Sequence, residues 1–218
     1  MSYGVVAAGR RWFVKGATGD RGGRSLARAR ALHGAVRHPA IVPLLGHFRA
    51  AGLPVVVMPW TEGEVLYHPA EPSRGATART RFLELPRDAR LEAARTIVDA
   101  HVAVAAGGFV AVDLYDGCFL YDFERSAMRL VDLDEYRRGP FVVQADRLPG
   151  STRYMAPEEW VRGARIDERT TVFALGRTLQ QLVPDAPDAI ASVAGRATAA
   201  DPSRRWPSVS DLAGALGL

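Results

Sequence analysis

Residues 109–134 read FVAVDLYDGCFLYDFERSAMRLVDLD, and the reading of this stretch decides the fold. Two short apolar runs, Cys118 to Tyr121 and Met128 to Val131, flank a polar turn from Asp122 to Ala127, a pattern that predicts a β-hairpin. Asp113 and Asp116 precede the first run; Asp132 and Asp134 follow the second. Antiparallel pairing brings those ends together, so these carboxylates are expected in one small region. Like charges crowded in this way repel unless a cation or a proton-transfer task holds them. Solvated acids of an ordinary turn fit the stretch, taken alone, equally well.

The whole chain bounds what surrounds the hairpin. Its 218 residues suffice for one large domain or two small lobes about a cleft, and an apolar fraction of 48% allows a substantial core. No apolar run of the roughly 18 residues that suggest a membrane helix occurs. No charged-then-apolar leader opens the chain, so the expectation is a soluble, cytoplasmic protein with no membrane partner. A single cysteine, Cys118, excludes an intrachain disulfide and a cysteine-based zinc cage. The net charge of +4 comes from scattered arginines. Without a basic stripe interleaved with aromatics, no nucleic-acid partner is expected.

Of the 28 lysines and arginines, all but Lys15 are arginine, and asparagine is absent. That bias fits a GC-rich coding background in which arginine replaces lysine wherever a positive charge suffices. A lysine that survives it is a candidate for work a guanidinium cannot do. A compact ammonium can meet a phosphate as a point charge in a tight space.

From the start of the chain, Tyr3 to Ala8 and Arg11 to Val14 read as strands about a Gly9-Arg10 turn, with Lys15 closing the second. Thr18 to Gly23 reads as a loop. Ser25 reads as the cap of a helix to about Val36, with Leu26, Ala29, Leu32 and Ala35 or Val36 on its apolar face. Two further strands, Leu45 to Arg49 and Pro54 to Met58, turn at Ala51-Gly52. Residues 68–80, rich in Pro, Ser, Gly, Ala and Thr, read as a flexible connection, and Asp88 to about Ala106 as a long helix. After the acidic hairpin the pattern is mostly helical. A strand-rich first part and a helical remainder predict an α+β fold of two lobes, residues 1–60 and 61–218, joined near Trp60.

Several segments, in order, carry a resemblance. Met58 to Leu66 reads MPWTEGEVL, Asp113-Leu114 opens the hairpin region, and Asp132-Leu133-Asp134 closes it. Tyr154 to Glu158 reads YMAPE, Val172 to Gly176 reads VFALG, and Asp201 to Arg205 reads DPSRR. Together they resemble the eukaryotic-type (Ser/Thr) protein kinases: the hinge, the end of the H-R-D-L loop, D-F-G, Y-M-A-P-E, the buried helix after it and the late D-P-x-x-R segment. The resemblance implies a bilobal protein-kinase-like fold with a truncated β-rich first lobe and a mainly helical second.

It also implies ATP and Mg2+ as cofactors. Lys15 would contact the α and β phosphates, Asp113 would be the catalytic carboxylate, and Asp132 would ligate magnesium. Cys118 stands where the family has a metal-binding asparagine, and Asp116 or Asp134 is near enough in sequence to replace it. Gly4 would be the last glycine of the phosphate-covering loop. With Val6, Met58, Pro59 and Thr61 it would line the nucleotide, the Pro59 carbonyl accepting from an adenine amine and the Thr61 N–H donating to the ring. Glu158 with Arg205 or Arg204 resembles the family's structural ion pair.

The departures carry expectations of their own. Most of the Gly-rich loop and its first strand are missing, which leaves an unpaired edge that a homodimer could cover. The helix after Ser25 has no glutamate, and Ala29 stands where the lysine's partner belongs, so Lys15 is expected to find another anion such as Asp132. Ala111-Val112 replace His-Arg before Asp113, which argues against control by phosphorylation of the activation segment. Thr171 replaces a buried aspartate. The five histidines lack metal-ligand spacing and read as structural, and Cys118 reads as a packed thiol.

Three functions remain. The first is a divergent phosphotransferase moving the γ-phosphate to a Ser/Thr hydroxyl of a protein substrate. The others are a pseudokinase scaffold for a protein partner and a small-molecule hydroxyl kinase. Survival of Lys15, Asp113 and Asp132 together favours the first.

Overall fold

Strands β1 (Ser2–Ala7) and β2 (Arg10–Gly16) form the first expected hairpin, turning at Ala8 and Gly9, both at positive φ. In the computed structural model, which describes residues 1–68 and 71–218, a helix follows, α1 (Asp20–Ala35). A second hairpin, β3 (Gly46–Ala50) and β4 (Leu53–Pro59), turns at Ala51 and Gly52. The two hairpins make one antiparallel sheet in the order β1-β2-β4-β3, with β1 paired, among the described residues, only to β2. Lys15 lies opposite Ser2 on one side and Val56 on the other. Val56 meets Leu26 of α1 and Ala17 in a small buried cluster, which seats the helix on the sheet.

α1 begins at Asp20, so the expected Thr18–Gly23 loop is mostly helical and Ser25 is not its cap. Glycines 22 and 23 disfavour a helix locally. Contacts made elsewhere outweigh them: a Cβ on Gly22 would stand 3.3 Å from the Ala17 Cα, and Ser25 and Arg28 are held by Glu135.

After the short strand β5 (Glu64–Val65), a second correction concerns the stretch expected to be a flexible connection. Residues 69–70 lie outside the described residues, and most of the remainder belongs to helix α2 (Pro72–Leu83). Ala78 and Phe82, one turn apart, are fully buried, and the Phe82 ring meets Tyr121 edge-on at 5.0 Å. Two such anchors among small residues give too weak a periodicity to register.

α3 (Arg87–Ala106) is the long helix expected, burying Ala93, Ala94, Ile97, Val98, His101 and Val104. β6 (Phe109–Val110) leads to the predicted hairpin, β7 (Phe119–Asp122) and β8 (Ala127–Leu130), with β5 on the outer side of β7. β9 (Arg137–Arg138) returns to pair with β6, so the chain on both sides of the hairpin is tied together. β10 (Phe141–Val142) pairs with β11 (Arg165–Ile166). α4 (Glu168–Leu182), α5 (Asp188–Ala197) and α6 (Val209–Ala215) complete the chain.

The main core joins α3, the hairpin and α4 to α6, and reaches Leu32 of α1. The result is α+β, with six α-helices and small antiparallel sheets among the described residues. None of those helices is long and apolar enough to cross a membrane.

Candidate functional site

The hairpin closes at its open end through the Val131 N–H, which donates to the Cys118 carbonyl at 3.0 Å. Asp113 and Asp132 thus flank one backbone junction. Both hold left-handed backbone, φ 62° and 57°, a conformation uncommon for residues other than glycine. Among the described residues the three others of this kind, Ala8, Ala51 and Ser126, all sit in hairpin turns. Strain of this kind persists only where surrounding structure fixes it, and it concentrates at functional sites.

Lys15 reaches this junction from β2, and its ammonium pairs with the carboxylates of both Asp132 and Asp134. The anion expected to replace the missing helix glutamate is therefore present twice over. Ala29, at the position expected for that glutamate, is fully buried against the core. α1 is tied to the same segment by other means. Ser25 Oγ donates to Glu135 at 2.6 Å, Arg28 Nη2 donates to the same carboxylate at 2.5 Å, and Arg28 Nε donates to the Asp134 carbonyl at 3.2 Å. The sequence reading missed Glu135 and Arg28, because nothing in their spacing links residues so far apart.

Arg28 and Arg137 answer Glu135, Lys15 is shared between Asp132 and Asp134, and the charges of Lys15 and Arg21 act on Asp113 without an ion pair to it among the described residues. Burial pushes the Asp113 carboxyl up from its ordinary 3.8 to about 6, aided by the negative charges of Asp132 and Glu135 and opposed by Lys15. Burial also raises Asp134 against the pull of Lys15. Burial by itself would lower the Lys15 pKa, yet Asp132 and Asp134 together hold it above its ordinary value. Asp134 Oδ1 is buried without a hydrogen-bond partner among the described residues, while Asp132 stays nearly half exposed.

Asp116, expected among the metal ligands, is corrected by the structure. It is fully buried and accepts two hydrogen bonds from Arg153 Nη2 at 2.9 and 2.8 Å, with Arg79 3.6 Å away. A carboxylate spent on two guanidiniums anchors Arg153 and is not free for a cation. Among the described residues, no group of three or more His, Cys, Asp or Glu side chains is arranged to hold a metal ion.

Of the residues expected around a nucleotide, Gly4, Val6 and Met58 share the sheet face of Lys15, while Pro59 lies opposite Trp12 on the other. Met58 is buried opposite Phe13, and the Pro59 carbonyl accepts from Thr61 Oγ1 at 3.5 Å. Val6 lies near the hairpin tip opposite Arg11 and is 73% exposed. Gly4 is covered by the ring of Trp60.

The ion pair expected below this region is present. Arg205 Nη1 and Nη2 donate to Glu158 at 2.7 and 2.8 Å, and both residues are buried. Thr171, at the position where the resemblance expects a buried aspartate, accepts from the Ala111 N–H at 2.9 Å. His101 is buried between the Ile97 carbonyl and the Tyr136 hydroxyl, and His38 meets Asp99, so both act structurally.

Fold and site thus define an α+β protein in which a single lysine from a small sheet is clasped by carboxylates at the mouth of a hairpin. No family model matches the chain, and the curated proteins give no significant match to it.

Proposed function

We propose that the chain is a divergent, protein-kinase-like phosphotransferase, bilobal in plan, that moves the γ-phosphate of ATP to a Ser/Thr hydroxyl of a protein. The observation carrying this reading is Lys15 held between Asp132 and Asp134, with Asp113 across the same junction. Phosphoryl transfer asks mainly for positioning and charge neutralisation, so a cation, metal-holding carboxylates and an acid–base carboxylate form a minimum set.

The residues fit magnesium. That ion is ordinarily held by one or two carboxylates together with substrate phosphates rather than by an all-protein cage. Asp132 is accessible and Asp134 has an unspent buried oxygen, so these two would hold it. Bound there, magnesium would neutralise charge on the phosphates. Lys15 would bind a phosphate oxygen as a point charge. Asp113, largely ionised at pH 7 with a pKa near 6, would orient the acceptor hydroxyl or take its proton. The Glu158–Arg205 pair would steady the Tyr154 to Glu158 segment as the platform for a protein acceptor.

A nucleotide-poor scaffold is the second reading, favoured by Trp60 lying over Gly4. A transfer assay with radiolabelled ATP separates the two. Label should pass to a protein acceptor and fall by about 10²–10⁴-fold in Asp113→Ala. Label on a small molecule would move the reading to a small-molecule kinase, and no label from the folded protein would overturn catalysis.

A further inference from the structure

Side chains directly opposite one another in an antiparallel pair, and those two apart on a strand, share a face of the sheet. Lys15, Phe13 and Arg11 of β2 therefore face the same way as Gly4 of β1 and Met58 of β4, both opposite Phe13. From this face Lys15 reaches Asp132 and Asp134. The Trp60 ring lies on it too: a Cβ on Gly4 would stand 2.9 Å from Trp60 Cζ3. Gly4 is two residues from Ser2, the partner of Lys15, so the ring sits about 7 Å from the lysine along the strand.

The Trp60 N–H donates to the Arg11 carbonyl at 3.3 Å, continuing the β2–β4 ladder by one residue. The Arg11 guanidinium stacks 3.8 Å from the ring centroid and pairs with Glu62 at 3.4 Å. Both contacts involve exposed charges and are weak in water. The indole N–H, by contrast, is buried without an acceptor among the described residues, which makes this position of the ring costly.

We propose that Trp60 is a gate against the base of the phosphate donor. In the observed position its ring occupies the sheet face beside Lys15 that a nucleobase would need. The site therefore takes a polyphosphate chain with magnesium and gains nothing from an attached base until the ring swings away from Gly4. Arg11 and Glu62 form the latch. This inference rests on the phosphate-binding role proposed for Lys15 and Asp132.

Calorimetric titration of the full chain with magnesium and either inorganic tripolyphosphate or ATP tests it. In the wild type the two ligands should bind within about three-fold of each other. Trp60→Ala should tighten ATP by about ten-fold and leave tripolyphosphate unchanged, with Arg11→Ala shifting the ratio part of the way. If Trp60→Ala does not fold, Trp60→Leu, a smaller side chain with no ring over Gly4, should give an intermediate ratio. ATP binding the wild type about ten-fold tighter than tripolyphosphate, or a ratio unmoved by the substitutions, would overturn the gate alone. Failure of both ligands to bind any of these proteins would overturn the phosphate site and the gate with it.

Discussion

The thiol of Cys118 donates to the carbonyl oxygen of Asp113 at 3.4 Å. The same sulfur lies 3.9 Å from the Asp132 carbonyl, so one buried side chain touches the backbone of both left-handed aspartates. Burial raises the thiol pKa well above its ordinary value, which keeps the proton on sulfur and the donor intact. Cys118→Ala removes these contacts and leaves a small cavity, and should cost about 1–3 kcal/mol. Cys118→Ser keeps a donor and should cost about 1 kcal/mol. Urea unfolding should rank wild type above Ser above Ala, and an alanine variant as stable as wild type would deny the thiol this role.

Arg205 spends all five of its donors. Besides the two bonds to Glu158, Nε donates to the Ala199 carbonyl, Nη1 to Arg169 and Nη2 to Ala200. Removing one partner strands a buried charge, so Glu158→Ala should lose about 3–5 kcal/mol. Arg205→Lys should also be poorly tolerated, since an ammonium cannot reproduce the planar fork. Chemical denaturation measures both, and a loss in either below about 1 kcal/mol would show that the pair is not structural.

These two sites mark the reach of the sequence. The hairpin, the long α3 and the two strand pairs follow from period and turn chemistry, which act over a few residues. Lys15 stood out by composition alone, and the need for a substitute anion followed from the missing helix glutamate. Asp134 taking an equal share of that lysine, Arg28 and Ser25 meeting Glu135, and Arg153 claiming Asp116 are encounters between distant segments. No local pattern encodes them. The helix at residues 72–83 was hidden for the same reason: Ala78 and Phe82 become anchors only once Tyr121 and its neighbours are in place.

Glu159 gives the stability a pH dependence of unusual sign. Its carboxyl is raised from its ordinary 4.5 to about 8 by burial, with the Ala156 N–H at 2.7 Å opposing and the charges of Glu158 and Asp113 assisting. Across that window the folded chain holds a proton that the unfolded chain has lost, so stability falls as pH rises. Asp113 adds the same slope between about 4 and 6. Glu159→Gln can still accept from Ala156 but does not titrate. It should flatten the curve above pH 6 and exceed the wild type at pH 8.5 by about 2–4 kcal/mol. Thermal or urea melts from pH 5 to 9 decide this, and parallel curves for the two proteins would reject it.

Removing Lys15 should expose what the carboxylates can do without it. In the wild type one ammonium answers Asp132 and Asp134, and Asp134 is buried. Lys15→Ala leaves those charges facing each other, so the variant should be less stable in EDTA. Added magnesium should then recover part of the loss, because an ion that binds only the folded state contributes about 1.4 kcal/mol at ten times its Kd. The wild type, whose ammonium already fills the gap, should respond less to magnesium alone and more to magnesium with a phosphate ligand that draws Lys15 away. Asp132→Asn removes the accessible carboxylate of the pair and should abolish both responses. Melting curves of the three proteins in EDTA, in magnesium and in magnesium with tripolyphosphate test the assignment. If magnesium shifts all three equally, the ion is binding elsewhere, and Asp132 and Asp134 serve only to anchor the lysine.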